Sequence, residues 1–307
     1  MVPIQTILCP VDFSSATERQ VLFAIDLCRF FGARLVLHHN LGTLGVGSAV
    51  GWMRAADDHG RPRSEKEATQ RLHEILAWVP ASIPSRAQLT HGTPTASVLT
   101  VAKLFDADLL VLTAHGGSHD EHMSMSEQLL DQSSCSVLAL HDSGVDVASP
   151  RFSSGEGEPQ RVLVPCSFSS SSDAAVRLSF ELAQRLPLEV HLLHVEPSRV
   201  HRDEPHDALA EEHRSWLRAM LPEDLAGRGL VHVVAGDPAE EVADIAGRIG
   251  ASLIVMGEHT RAPIRRWFSR DNGRILLHRA HCPVWYVPSQ APRRAATASA
   301  EPQVATA

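Results

Sequence analysis

The sequence repeats itself once, and this duplication constrains the fold more than any other feature. Five blocks recur in the same order: ILCPVDFSS (7–15) as VLVPCSFSS (162–170), LVLHH (35–39) as LLHVE (192–196), HGTPTASV (91–98) as AGDPAEEV (235–242), DLLVLTAHG (108–116) as SLIVMGEHT (252–260), and SCSVLAL (134–140) as HCPVWYV (281–287). The spacing changes only between blocks, as insertions and deletions in loops would produce. In the second block, His194 is matched to His38. We therefore predict a tandem duplication of one domain.

The duplication divides the 307 residues into two domains, a connection and a tail. The first domain is predicted at residues 1–147 and the second at 161–289. Residues 148–160 (ASPRFSSGEGEPQ) are rich in Ser, Gly, Pro and Glu and lack apolar periodicity, which predicts a linker. Residues 290–307 are small and polar, which predicts a disordered tail.

Composition excludes several classes of protein. A net charge of −8 and a pI near 6.1 argue against a basic surface for nucleic acid. No uncharged run is apolar enough for a membrane span, and the N-terminal segment lacks the pattern of a secretory signal. The five cysteines show no CxxC spacing, so we expect a reducing, cytoplasmic location. The 18 histidines alone do not distinguish metal binding from pH sensing.

Each copy alternates short apolar strands with amphipathic helical stretches. ILCPV is a continuous apolar run of the kind found in buried parallel strands, and the segment that follows Ser14 and Ser15 has helical apolar spacing. Ser64 with Glu67 forms a candidate capping box for a further helix. Five strands and four helices per copy predict an α/β fold: two tandem five-stranded parallel sheets with helices on both faces. Ligands of such sheets bind at the carboxyl ends of the strands.

The blocks together resemble the universal stress protein family. The matching elements are PVDFS (10–14), the strand-two histidine (His38 or His194), GxP (92–94 and 236–238), VMGEH (255–259), SEQLL (126–130) and CPV (282–284). They occur twice in the family's order and cover nearly the whole of both predicted domains. The chain is thus similar to the tandem-domain members of this family.

The resemblance implies a Rossmann-like fold related to the adenine nucleotide alpha hydrolases. It also implies pairing of domains through their last strands, which a tandem chain can make within one molecule or between two chains. Some family members bind ATP through an Asp after the first strand and a G-x-x-G-x9-G stretch followed by Ser or Thr after the fourth. Glycines allow backbone N–H groups to approach phosphates, and a helix N-terminus favours an anion.

The second copy has lost most of this phosphate-binding pattern. It retains Gly257, but Thr260 and Arg270 stand at the next two glycine positions. Asp271 replaces the Ser or Thr, and Ser167 replaces the Asp after the first strand. Because a carboxylate at a helix N-terminus repels phosphate, we predict that this site no longer binds ATP.

The first copy keeps more of the pattern. Asp12, Gly116 and Ser124 match, and Gly117 follows in the same loop, whereas Thr113 and Met123 replace glycines. The loop is also shorter than the family's, so it cannot wrap a triphosphate in the same way. Asp12, Gly116, Gly117 and Ser124 together form a candidate ATP pocket with weak or absent affinity.

Four other features are interpreted mainly as structural. The glycine-rich residues 42–51 follow the second strand, not the first, which favours a loop over a dinucleotide site. The histidine-rich residues 115–122 fit no closed metal site, and no metal is predicted. The arginine-rich residues 261–274 are interpreted as a solvated loop, with an anionic ligand or acidic partner as the alternative. Cys135 and Cys282 precede the last strands as small buried thiols.

The sequence contains no nucleophile–base set and no Walker-type GK[ST] motif, and gives no positive indication of catalysis. We therefore predict a non-enzymatic, cytoplasmic stress-response module that binds or regulates other molecules, with degenerate ATP-binding loops and no assigned cofactor. The alternative is an ATP-binding protein or slow ATPase that uses the pocket of the first domain.

Overall fold

The computed structural model describes residues 4–42, 62, 64–114, 124–141, 160–168, 170–197, 206–225, 227–257 and 270–288. The predicted tail and all of the predicted linker except Gln160 lie outside these residues. Gln160 itself begins a strand.

The first half alternates strands and helices as predicted. Its elements are β1 (Thr6–Pro10), α1 (Ala16–Phe31), β2 (Arg34–Asn40), α2 (Glu65–Leu76), β3 (Ser85–Thr90), α3 (Pro94–Leu104), β4 (Leu109–Ala114), α4 (Met125–Gln132) and β5 (Ser136–His141). Apolar periodicity predicted this alternation, and the predicted strand ILCPV (7–11) corresponds to β1 with a displacement of one residue.

The second half repeats this order. Its elements are β6 (Gln160–Pro165), α5 (Ser170–Arg185), β7 (Leu188–Pro197), α6 (His206–Met220), β8 (Gly229–Gly236), α7 (Pro238–Ile249), β9 (Leu253–Gly257), α8 (Arg270–Arg279) and β10 (Val284–Val287). A short 3₁₀ turn, Glu223–Leu225, precedes β8. The predicted α/β fold with two tandem sets of five strands is confirmed.

The strands form one ten-stranded sheet in the order β3-β2-β1-β4-β5-β10-β9-β6-β7-β8. Pairing is parallel within each half and antiparallel between β5 and β10. The order reverses direction at β1, which lies between β2 and β4, and at β6, which lies between β7 and β9. Such reversals open a crevice at the carboxyl ends of the strands.

Helices cover both faces of the sheet, because successive strand residues point to opposite sides. On β1, Ile7 and Cys9 pack in the core that also contains residues of α1, α2 and α5. Leu8 packs in the opposite core, with residues of α3, α4, α7 and α8. Each strand therefore contributes to two apolar layers, which explains why the strands are continuous apolar runs and not alternating ones.

The helix ends depart from the sequence prediction in one detail. Ser64 accepts a hydrogen bond from the Glu67 N–H (3.1 Å) and begins α2 as predicted, whereas the Glu67 carboxylate bonds Arg71 (2.9 Å). Ser15 precedes α1 but its hydroxyl caps nothing. The end of α1 follows the usual rule: Gly32 adopts a left-handed φ of 68°, a conformation that costs glycine little.

The strand-two histidine was assigned incorrectly in the first half. The Nδ1–H of His39 donates to the carbonyl of Val11, and that of His194 donates to the carbonyl of Cys166, both at 2.8 Å. Because Val11 and Cys166 are equivalent positions, His39 and not His38 is the counterpart of His194. The one-residue error arose because two adjacent histidines fit the sequence block equally well, although neighbours on a strand face opposite sides of the sheet.

Candidate functional site

The candidate site of each half lies where the order of strands reverses. In the first half this is the carboxyl end of β1, β2 and β4, and in the second half that of β6, β7 and β9. In both halves the chain leaves the first strand through a phenylalanine with positive φ, 63° at Phe13 and 54° at Phe168. This conformation is strained for a bulky residue, and its repetition shows that the turn was duplicated with the fold.

Asp12 follows β1, and its carboxylate organises the beginning of α1. Its Oδ1 accepts the backbone N–H of Ser14 (2.9 Å) and the hydroxyl of Thr17 (3.2 Å). The Asp12 carboxylate thus holds the turn that leads into α1. Any ligand contact by Asp12 would have to coexist with this turn.

Thr113 at the end of β4 is tied to α1 through Gln20. The Thr113 hydroxyl donates to Oε1 of Gln20 (3.1 Å). The Gln20 amide in turn donates to the carbonyls of Pro10 (2.7 Å) and Val111 (2.8 Å). Gln20 is 5% exposed, so these are buried hydrogen bonds across two strand ends. A side chain and its bonds therefore occupy the place that the family pattern gives to a glycine.

Ser124 begins α4 within a complete capping box. Its hydroxyl accepts the N–H of Glu127 (3.2 Å), and Oε2 of Glu127 accepts the N–H of Ser124 (2.6 Å). The Glu127 side chain is only 8% exposed. A buried carboxylate of the chain itself is therefore bonded at the helix N-terminus, the position that favours an anion.

The remaining candidate residues of the loops lie largely outside the described residues. This holds for Gly116 and Gly117, for the histidine-rich residues 115–122, and for the arginine-rich loop up to residue 269. Gly257 is described: it ends β9, is buried and pairs with Val287 of β10. Of residues 42–51, only Gly42 is described, and its N–H donates to the Asn40 side chain (2.8 Å).

The second half carries an aromatic cluster that the sequence analysis missed, formed by Phe168, His194, His213 and Trp216. Phe168 stacks on His213 with ring centroids 5.6 Å apart and meets Trp216 edge-on at 5.4 Å. His213 contacts His194 (4.4 Å) and places its Nδ1 2.8 Å from the Glu196 carboxylate. Phe168 and Trp216 remain 38% and 47% exposed. The only sequence signal was a histidine and a tryptophan three residues apart on a helix.

Burial keeps the strand histidines neutral. It lowers the pKa of His38 and of His194 to about 4 each, and lowers the pKa of His39 as well. These side chains act at neutral pH as hydrogen-bonding groups without charge. His38, for example, contacts the Thr90 hydroxyl through Nε2 (2.8 Å).

A polar network links β2, β3 and α3 beside His38. Asn40 donates to the hydroxyls of Thr90 (3.2 Å) and Ser97 (2.8 Å), and Ser97 donates to the carbonyl of His91 (3.2 Å). The network fixes the GxP turn that begins α3. The presence of these polar side chains is therefore explained by their structural hydrogen bonds, and no ligand is needed to account for them.

Two general searches of the described residues gave negative results. Within those ranges, no group of three or more His, Cys, Asp and Glu side chains is arranged to hold a metal ion. Over the same part of the chain, no helix combines the length and apolarity needed to cross a membrane.

Gln20 and Glu127 were also missed by sequence reasoning, and both had a signal. Glu127 stands three residues after Ser124, which is the spacing of a capping box. Gln20 is a polar residue within the apolar face of a helix, at a position where the second copy has Ala175. Comparison of the two copies, residue by residue, would have found it.

A family model described as the universal stress protein family matches the chain twice, at residues 3–141 and 158–288. Both predicted domains are thus covered almost completely. A search of curated proteins finds no match.

Solved structures agree in fold over 94% of the chain. A universal stress protein from Archaeoglobus fulgidus DSM 4304 superposes with a TM-score of 0.65 at 18% identity, covering 94% of this chain and 98% of that one. A protein of unknown function from Pseudomonas aeruginosa PAO1 gives 0.63 at 10% identity, with 94% and 93% covered. A putative universal stress protein from Pseudomonas aeruginosa UCBPP-PA14 gives 0.61 at 11%, with 94% of each chain covered.

Proposed function

Because the chain belongs to the universal stress protein family, we propose that it is a non-enzymatic binding or regulatory module of the stress response whose two nucleotide sites have degenerated. The observation that carries this proposal is the Glu127 carboxylate at the N-terminus of α4. In the family pattern, that helix N-terminus and Ser124 would meet a phosphate.

The first half opposes a triphosphate in two ways. The bonded carboxylate of Glu127 neutralises the favourable end of the helix dipole and repels a second anion. The Thr113–Gln20 bonds occupy the start of the phosphate loop, where a glycine would let the backbone approach the ligand. Asp12, Gly116, Gly117 and Ser124 are therefore proposed as a pocket with little affinity for ATP.

The second half is proposed to be further from nucleotide binding. It keeps Gly257 but has Ser167 in place of Asp12 and Asp271 in place of Ser124. The exposed rings of Phe168 and Trp216 lie at the strand ends of this half. They support a role in contacting a partner or a flat ligand. In the first half Phe13 contacts His39 with ring centroids 4.2 Å apart, but the group beside it is the Arg71 guanidinium and not an exposed aromatic ring.

Calorimetric titration with ATP and Mg²⁺ tests the proposal. The wild-type protein is expected to show no affinity in the low-micromolar range. Glu127→Gln keeps a hydrogen-bond acceptor for the Ser124 N–H but removes the charge, so we expect at least fivefold tighter binding, corresponding to about 1 kcal/mol of relieved repulsion. Glu67→Gln is the matched control, because Glu67 occupies the same position after the cap of α2.

Three outcomes separate the alternatives. Low-micromolar binding by the wild-type protein would overturn the proposal, and ATP hydrolysis measured on the same sample would then support the slow ATPase. Equal weak binding by wild type and Glu127→Gln would remove the electrostatic explanation. Tighter binding by Glu127→Gln alone, with Glu67→Gln unchanged, supports it.

We further propose that the two halves remain paired through β5 and β10 in solution and that the protein resides in the cytoplasm. The antiparallel pairing of Ala139 with Val284 and of Val137 with Tyr286 supports the first point. The location is supported by the five cysteines, which are all buried and free of disulfides. Light scattering will show whether the paired chain is a monomer or assembles further into a homodimer.

A further inference from the structure

The strand pair that joins the halves has a symmetric register but asymmetric side chains. Leu138 of β5 pairs with Trp285 of β10, and these two positions are equivalent in the repeat. The flanking pairs are Val137 with Tyr286 and Ala139 with Val284. Because the repeat matches Val137 to Val284 and Ala139 to Tyr286, exchanging the two halves turns one flanking pair into the other. A pseudo-twofold axis therefore passes between Leu138 and Trp285.

Side-chain size is complementary across this axis. Both large rings lie on β10, where Trp285 is 0% and Tyr286 4% exposed, whereas β5 carries Leu138 and Ala139 at equivalent positions. Two β5 strands would place Leu138 against Leu138 and leave space unfilled. Two β10 strands would place Trp285 against Trp285 where one ring now fills the core. Underpacking and overpacking both destabilise a close-packed interior.

The helices beside the axis are also asymmetric, because a charged residue of one half faces an aromatic residue of the other. Arg185 of α5 occupies the position that Phe30 occupies in α1. Its guanidinium carbon lies 3.9 Å from the centroid of the Phe30 ring, and it also donates to the Phe30 carbonyl. Phe31, the next residue of α1, meets Trp285 edge-on at 6.1 Å. Two second halves would bring Arg185 against Arg185 and exchange a cation–π contact for repulsion.

The opposite face of the sheet carries a second charged contact. Glu127 of α4 lies 3.2 Å from Nε2 of His278 on α8. In the repeat, the residue of the first half that matches His278 is Asp131. Two first halves paired in the same way would therefore bring Glu127 against a carboxylate in place of an imidazole.

From these observations we infer that the β5–β10 surface selects the opposite half of this chain as its partner and rejects a second copy of the same half. This inference rests on the proposed pairing of the two halves, and it adds that the pairing surface discriminates between the two kinds of half. Size decides at the strand pair, where the large rings lie on one side only. At the helices the selectivity comes from charged groups, because Arg185 contacts Phe30 and Glu127 contacts His278 only when unlike halves pair.

Capture after cleavage tests the selectivity in the protein as it is made. A protease site is inserted within residues 148–159 of the full chain, once with a tag on the first half and once untagged and ¹⁵N-labelled, so that mass identifies the protein from which each half comes. The two purified proteins are mixed, cleaved and captured through the tag, and the bound halves are identified by mass. We expect the tagged first half to retain second halves of either origin and no untagged first half.

The outcomes distinguish this inference from the pairing on which it rests. Recovery of untagged first halves in amounts comparable to second halves would overturn the selectivity while leaving the pairing intact. Recovery of the tagged half alone would overturn both.

A pair of substitutions provides a second measurement. Leu138→Trp puts two indoles at the axis and is expected to weaken association of the cleaved halves at least tenfold. Leu138→Trp combined with Trp285→Leu moves the ring to the other strand and is expected to regain most of that loss. A double variant that associates no better than Leu138→Trp would contradict size complementarity, even if Leu138→Trp alone folds poorly.

Discussion

The two halves of the molecule share a backbone and differ in the chemistry at the ends of their strands. In the first half, Gln20 bonds Thr113 and two strand-end carbonyls, whereas the second half has Ala175 and Gly257 at the same positions. The positive φ after the first strand is common to both, at Phe13 and Phe168. Strand pairing and apolar layers thus tolerate divergence of the site, which is why fold and function must be argued from different residues.

Replacement of Trp285 is expected to have the largest effect on stability, because this residue belongs to the second half and packs against Phe31 of the first half. Trp285→Ala should lower the free energy of unfolding by about 3–5 kcal/mol, as for other large buried aromatics. The loss should affect both halves in one urea-induced transition, measured by circular dichroism and by fluorescence. Trp216→Ala, at a 47% exposed position of the second half, is the control and should cost less than about 1 kcal/mol. Separate transitions for the two halves in Trp285→Ala would show that they do not stabilise each other.

Acid should destabilise both halves through their buried histidines. His38 and His194 have folded pKa values of about 4 against 6.5 when unfolded. The unfolded chain therefore takes up protons first as pH falls, and stability is complete above pH 6.5 and declines towards pH 4. Each histidine contributes about 1.4 kcal/mol per pH unit, or about 3 kcal/mol over the range.

Urea denaturation at several pH values measures this slope. His194→Asn keeps a donor for the Cys166 carbonyl without a titrating ring, and should reduce the slope by the contribution of one histidine. Gln70→Ala, at an exposed position of α2 without a titrating group, is the control and should leave the slope unchanged. If His194→Asn also leaves it unchanged, His194 does not stay neutral in the folded protein.

Much of the fold was predictable because its determinants are local and occur twice. Apolar strands, the cap at Ser64 and the GxP turns located the elements, and the repeat excluded alternative divisions of the chain. Right-handed crossovers restrict how parallel strands can be connected, but the order β3-β2-β1-β4-β5 was not predicted from the sequence. The register of β5 with β10 was not predictable, since it depends on how side chains as different as Leu138 and Trp285 fit together across the axis.

The candidate site was only partly predictable. Asp12 and Ser124 were found because the family pattern places them, but their bonding was not. Whether a carboxylate near a helix N-terminus turns back to cap it, as Glu127 does, depends on the three-dimensional turn. The aromatic cluster unites Phe168 with Trp216, which are far apart in sequence and brought together only by packing of α6 on the sheet.

The Gln20 hydrogen bonds occur in the first half only, and removing them should lower the free energy of unfolding measurably. Gln20→Ala leaves the carbonyls of Pro10 and Val111 without this donor, and we expect a loss of about 1–3 kcal/mol in the free energy of unfolding. Thr113→Val removes only the hydroxyl, and the double variant should lose less than the sum of the single variants by about 0.5–1 kcal/mol. Gln184→Ala, on the surface of α5, is the control. Strictly additive losses would mean that the Thr113–Gln20 bond contributes nothing of its own.

The smallest predicted difference concerns the start of the helix that follows the GxP turn. Asp237 caps α7 by accepting the N–H groups of Ala239 (3.0 Å) and Glu240 (3.2 Å), whereas its counterpart Thr93 makes no side-chain bond to α3. Asp237→Ala should therefore cost about 1 kcal/mol, and Thr93→Ala close to none. Thr93→Asp should instead stabilise the first half by up to about 1 kcal/mol, since it adds both a cap and a favourable charge. Thermal unfolding of the three variants checks this order, and equal effects of Asp237→Ala and Thr93→Ala would show that the two helices begin in the same way despite their different caps.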